Sequence, residues 1–286
     1  MRQPTAQKAA LAPPSDAAEH QASLQRIDGA NAPVFALRRV YPLGYRSPRH
    51  SHRKAQLWGA RRGVVMVSTA DGRFMVPPGH GLLIPAGLDH ASEALSEVEM
   101  LSIYVSPLYG GADRPRVVEI TPLARSLMQD LVAEEGRPTD ANRQQLVMNL
   151  LLDEITRLPH RPLGLPIPQH EGLARLCRRF LKAPSAVESI DDWAAALTMS
   201  RRSFTRLFRA EIGISFVTWR QQACLFASLP KLASGESVTS VALDAGYENI
   251  AAYTTMFRRM LGSPPSTYFR ERFQSSVLDA SAARKP

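Results

Sequence analysis

The sequence predicts an α+β protein, with an N-terminal β-barrel of jelly-roll type carrying a helix pair and a C-terminal all-α domain of tandem helix-turn-helix units. Three observations lead there. Short strand-like runs punctuated by Gly and Pro recur between Val34 and Val105. Helical periodicity takes over from about Thr121. The stretch from Ile190 to Arg270 then repeats itself.

A length of 286 residues suggests two domains, and 44% hydrophobic residues suffice to core both. The formal net charge of +9 favours a polyanionic partner. No run of about eighteen apolar residues exists to span a membrane, and the N-terminus lacks the pattern of a secretory signal, so a cytoplasmic location is expected. The two cysteines, Cys177 and Cys224, make no disulfide framework and have no metal-ligand spacing.

Residues 1–25 are rich in Ala, Gln and Pro with few apolar anchors and read as a disordered tail. The sensing domain is expected over 26–158. Its strands are expected at Val34–Tyr41, Gln56–Gly59, Val64–Ser68, Arg73–Val76, Gly81–Ile84 and Glu99–Val105, with Asp71-Gly72 as a hairpin turn. Helices follow over about 121–135 and 141–158. In the second, Leu146, Val147, Leu150, Leu151, Ile155 and Leu158 make a stripe wide enough to pack on the barrel and on a second copy, or on the barrel alone. Pro159, Pro162, Pro166 and Pro168 mark a linker over 159–170. The helical domain is expected over 171–275, with a flexible tail at 276–286.

The repeat sets Ile190–Met199 against Val238–Tyr247, and Ser200–Arg209 against Asn249–Arg258; each copy then reaches a glycine, Gly213 or Gly262. A polar cap, Ser200 or Asn249, opens the second helix of each unit. Phe204, Leu207, Phe208 and Ile212, or Tyr253, Met256, Phe257 and Met260, supply its buried face. The outer face of the first copy carries Arg201, Arg202, Thr205, Arg206 and Arg209, side chains that read guanine edges or clamp phosphates. The matching face of the second offers Ile250, Ala251, Thr254 and Thr255, with Arg258 and Arg259 beyond them. The first unit is therefore expected to dominate polar base readout, and the second to add thymine-methyl and phosphate contacts.

The runs Met199–Arg209, Gly246–Asn249, Met256–Arg259 and Gly262–Phe269 resemble the AraC/XylS transcriptional regulators without gaps across the C-terminal domain. The resemblance implies two DNA-reading units joined by a long helix, here about 215–229. Some fifteen residues span about 22 Å, against roughly 34 Å between successive major grooves on one DNA face. Pro230 is expected to end or kink that helix. It also implies a homodimer contact in the 121–158 helices. Where the family carries arginine in the run Trp219–Leu225, this chain has Cys224, so weaker DNA binding or lower stability is expected.

Within the barrel, Gly44, His50-Ser51-His52, Gln56 and Gly63 resemble the first motif of the cupin superfamily; Gly79, Pro85-Ala86-Gly87 and His90 resemble the second. A cupin-like barrel follows from the resemblance, as does a metal-ligand set of His50, His52 and His90, with Gln56 replacing the usual glutamate. An amide holds a divalent metal less strongly than a carboxylate. Either these residues bind a metal or they line an effector pocket of a few hundred Å³. Arg46, Arg49, Arg53, Lys54, Arg61 and Arg62 around the first motif fit an acidic effector or a solvated rim. The expected function is a sequence-specific DNA-binding regulator responding to a small-molecule effector, and not an enzyme. The alternative is a cupin-type metalloenzyme localised on nucleic acid by its basic domain.

Overall fold

The computed structural model describes residues 11–109, 112–134 and 140–268, which divide into two compact units. The first runs to Arg161 without Ala70–Arg73; the second takes those four residues with the chain from Pro162. The expected 276–286 tail and residues 1–10 lie outside the described residues, as does the end of the expected 171–275 domain.

In the first unit the elements are α1 (Ala17–Gly29), β1 (Val34–Tyr41), β2 (Ala55–Arg62), β3 (Val65–Thr69), β4 (Gly72–Val76), β5 (His80–Ile84), β6 (His90–Ala94), β7 (Val98–Val105), β8 (Arg116–Glu119), α2 (Pro122–Glu134) and α3 (Ala141–Arg157). One sheet has the order β1-β7-β2-β5-β8 and every neighbouring pair antiparallel; in a second, β3 lies between β6 and β4. These are two separate ladders, as in a jelly roll, rather than one closed ring of strands.

Alternation along the central strands decides what each face meets. Leu57, Leu83, Leu101 and Ile103 pack with Met128, Leu131, Met148 and Leu151 of α2 and α3. Gln56, Trp58, Ser102 and Tyr104 therefore face the opposite side, into the unit's interior. Gly63 sits at φ +77°, and a Cβ there would lie 2.0 Å from the Glu97 carbonyl oxygen, so the last glycine of the first cupin-like motif has a steric reason.

The tail expected over 1–25 is corrected where α1 forms. Asp16 accepts from the Glu19 N–H at 2.9 Å, Glu19 accepts from the Ser15 N–H at 2.8 Å, and Leu24 and Ile27 bury themselves one turn apart. Two apolar anchors suffice because they land on Leu37 and Tyr104. The 159–170 stretch is also held more firmly than a linker. Glu119 N–H donates to Pro159 O at 2.8 Å and Arg161 N–H to Val117 O at 2.9 Å, continuing the β8 edge. In the second unit Leu163 and Leu165 are buried, and Trp219 Nε1 donates to Pro166 O at 3.2 Å.

The second unit comprises α4 (Glu171–Phe180), α5 (Ile190–Ala196), α6 (Arg201–Ile212), α7 (Phe216–Ala233), α8 (Val238–Asp244) and α9 (Ile250–Leu261). The sequence repeat is a repeat of backbone geometry. Met199 N–H donates to Ala194 O at 2.9 Å, and Tyr247 N–H to Ala242 O at 3.1 Å. The preceding residue is left-handed in both turns, Thr198 at φ 54° and Gly246 at φ 77°. Gly213 and Gly262 end α6 and α9 in the same left-handed conformation. Trp193, Phe204, Phe208, Phe216 and Trp219 form an aromatic core, with the Trp193 and Phe216 ring centroids 4.9 Å apart. Pro230 does not end α7, which runs on to Ala233 with Ser234 N–H donating to Pro230 O at 3.0 Å. A proline so near the C-terminus removes one hydrogen bond, while buried Leu229 and Leu232 hold the last turn.

Candidate effector cavity and nucleic-acid interface

The helix-turn-helix residues singled out from sequence fall on two outward faces. Ser200 and Asn249 are the N-caps of α6 and α9, accepting from Ser203 N–H at 3.2 Å and Ala252 N–H at 2.8 Å. Arg201, Arg202, Thr205, Arg206 and Arg209 are exposed on α6; on α9, Ile250, Ala251, Thr255 and Arg258 are exposed and Thr254 is half-buried. Arg201 pairs with Asp191, and Thr205 Oγ1 donates back to Arg201 O at 2.8 Å. Arg202, Arg206 and Arg209 have no side-chain partner among the described residues. Arg259 donates to Gln221 of α7 and is committed to the protein.

In the first unit the predicted His50, His52, Gln56 and His90 do come together. The His50 and His90 ring centroids are 4.3 Å apart and those of His52 and His90 5.2 Å, with His50 and His90 bridged main chain to main chain. Each ring gives Nδ1–H to a carbonyl: Pro48 at 2.9 Å, Lys54 at 2.5 Å and Leu88 at 2.8 Å. Burial, the largest cause, pushes His50 down to about 4 and His90 to about 3, so both are neutral near pH 7.

Sequence reasoning missed two members of this site. His20 of α1 stacks edge-on to His50 at 4.5 Å, its protonation lowered by burial and then by Arg39. Arg39 of β1 is 7% exposed and donates to Ser23 Oγ at 2.6 Å. The signal for His20 was the Asp16–Glu19 capping pattern, which places a helix and hence a face.

The cavity among these groups is about 40 Å³, not a few hundred. Leu24 and Ile27 of α1 are buried and line it. The basic cluster expected to greet an acidic effector is largely spent: Arg46 pairs with Glu93, Arg61 with Glu99 and Arg62 with Glu97. Lys54 Nζ donates to Ala30 O and Ala32 O, while Arg53 reaches Asp28 through its backbone N–H alone.

A metal fits this set poorly. Three imidazoles and an amide bring no negative charge to hold a divalent ion. Among the described residues no group of three or more His, Cys, Asp or Glu is disposed to hold a metal ion. His50 and His90 make a neutral polar floor.

A duplicated helix-turn-helix fold whose first copy exposes a basic helix, in a chain that also carries a β-domain with a polar cavity, defines a ligand-responsive DNA-binding regulator, and the family comparisons agree. An AraC-like ligand binding domain matches residues 32–151 and a helix-turn-helix domain matches 193–271. The chain belongs to the AraC-type family of helix-turn-helix transcriptional regulators: it is 31% identical over 225 residues to the HTH-type transcriptional regulator NimR of Escherichia coli K12, covering 78% of this chain and 82% of that one. It is also similar to the HTH-type transcriptional activator RhaR of Yersinia pestis bv. Antiqua, 28% identical over 162 residues, covering 55% of this chain and 56% of RhaR. The DNA-binding domain of AdpA, solved with a target DNA, is 31% identical over 35% of this chain and 91% of that one, with a TM-score of 0.33. The chain is thus a transcriptional regulator with DNA and a small-molecule effector as partners. Among the described residues no helix is long and apolar enough to cross a membrane.

Proposed function

We propose that α6 is the principal base-reading helix and α9 the secondary one, that the cavity under α1 receives the effector, and that the protein works as a homodimer through α2 and α3. The observation that carries the DNA assignment is the trio Arg202, Arg206 and Arg209, exposed on one helix without side-chain partners among the described residues. An arginine left unpaired on a helix that suits the major groove is free to fork onto guanine O6 and N7. Ile250 and Ala251, at the matching start of α9, favour thymine methyls instead. Effector binding beneath α1 then shifts the population of dimers able to span two half-sites.

The test is selection of bound sequences from random DNA, followed by anisotropy titration of the recovered site across a salt series. A recovered motif with specific binding well above the random-sequence background supports the assignment. Binding that tracks salt alone, with no motif recovered, would sink it.

A further inference from the structure

Three side chains that line the cavity beneath α1 hold donors without acceptors. Arg39 Nε, Trp58 Nε1 and both ring nitrogens of His20 are buried without a hydrogen-bond partner, and all three side chains line this cavity. Arg39 and Trp58 are each more than nine-tenths buried. No Asp or Glu is among the lining residues, and no carboxylate pairs with Arg39 among the described residues. Among the described residues its guanidinium is met by two neutral hydroxyls, those of Ser23 and Tyr41, which leave a permanent charge uncompensated. A buried charge left unpaired is costly, and the cost persists in a native protein where a ligand removes it.

We propose that Arg39 is the anchor for the carboxylate of an organic acid effector, with Trp58 Nε1–H and His20 as the flanking donors. This rests on reading the cavity as the effector site and names the effector's chemical class. A carboxylate accepts two parallel bonds from a guanidinium, and the unused Nε–H beside an Nη–H offers that fork. The cavity's 40 Å³ admits the head group and little more. The body of the acid must therefore take the place of Leu24 and Ile27, against Tyr41, Trp58 and Tyr104, which favours a flat or aromatic acid. The carboxylate also displaces Ser23 Oγ from Arg39. Both events loosen the same helix, so occupancy of the cavity and release of α1 are one event.

The test uses the full-length protein in calorimetric and thermal-shift titrations with benzoate, propionate, benzamide, propionamide and nitrate. Benzoate and propionate are expected to bind and the amides to fail, with α1 amides exchanging faster with deuterium in the benzoate complex. Arg39→Gln is expected to lose benzoate while its ligand-free melting temperature holds or rises, since an unpaired charge has been removed; Arg39→Lys is expected to bind about tenfold more weakly. Trp58→Phe keeps the ring, loses the donor and should weaken benzoate even if Arg39→Gln fails to fold. Equal response to acid and amide, retention of benzoate by Arg39→Gln, or response to nitrate alone would each overturn the assignment. Operator binding measured on the same samples separates the two readings: intact DNA binding with no carboxylate response removes this proposal alone.

Discussion

Arg201 and Asp191 meet at 2.9 Å across the turn of the first helix-turn-helix unit, tying the start of α6 back to α5. Both side chains are well exposed, so the pair is screened and contributes little to stability, about 0 to 1 kcal/mol. Its expected consequence is positional: it holds Arg201 toward α5, while Arg202 and Arg206, one turn apart, have no side-chain partner among the described residues. Arg202→Ala or Arg206→Ala should each cost about 1 to 3 kcal/mol of operator binding and relax base preference at one position, with no change in melting temperature. Anisotropy on operator and scrambled DNA checks this; equal losses on both would make the two arginines phosphate clamps.

Cys224 reverses an expectation. Its sequence position suggests that arginine there would restore a missing contact and raise stability or affinity. In the structure Cys224 is fully buried in α7, and burial pushes its thiol up to about 12. A guanidinium at that depth gains a desolvation cost that Glu188, paired through Trp193 and contacting Arg220 through its carbonyl, is not free to offset. Cys224→Arg should therefore lower the melting temperature, by about 3 kcal/mol or more in stability. A rise in melting temperature would restore the sequence-based view.

How legible the protein was in its sequence depends on how local each cause is. The β1 limits, the α2 and α3 spans and the repeat were readable because alternation, periodicity and caps such as Ser200 and Asn249 act within a few residues. Strands β6 and β8 were missed: His90–Ala94 is mostly polar, Arg116–Glu119 offers only two apolar residues between charges, and long-range pairing with β3 and β5 decides them. Helix α1 was hidden because its two anchors find Leu37 and Tyr104 only after the sheet exists. The histidine cluster was visible through its motif spacing. Arg39 was not, because nothing in the sequence distinguishes a buried arginine from the exposed ones around the first motif.

Acid should destabilise the N-terminal domain through its imidazoles. In the unfolded chain they titrate near 6.5; in the folded domain His50 is lowered to about 4 and His90 to about 3. As pH falls below 6.5 the unfolded state binds protons that the native state refuses, so stability present at neutral pH is lost progressively down to about pH 4 for His50 and about pH 3 for His90. The slope approaches about 1.4 kcal/mol per pH unit for each imidazole. Urea denaturation between pH 7.5 and 4.5 should show this dependence, and a His50→Gln, His90→Gln double variant should flatten it. An unchanged slope in the variant would assign the acid sensitivity to other groups.

The outer face of α3 tests the homodimer. Leu146 is 62% exposed and Leu150 45%, one helical turn apart, while Val147, Met148 and Leu151 fill the inner face. A single exposed leucine is unremarkable on any surface, but two in register on a helix already anchored to the sheet make a small apolar strip that a second copy can cover about a two-fold axis. Leu146→Glu with Leu150→Glu places charges on that strip without touching the core. Light scattering should then give a monomer mass where the wild type gives a dimer, with the melting temperature of each chain little changed. Operator affinity should fall steeply on a two-half-site DNA and hardly at all on a single half-site, because the second contact has become bimolecular. A wild-type monomer, or a double variant that remains dimeric, would place the self-association surface elsewhere.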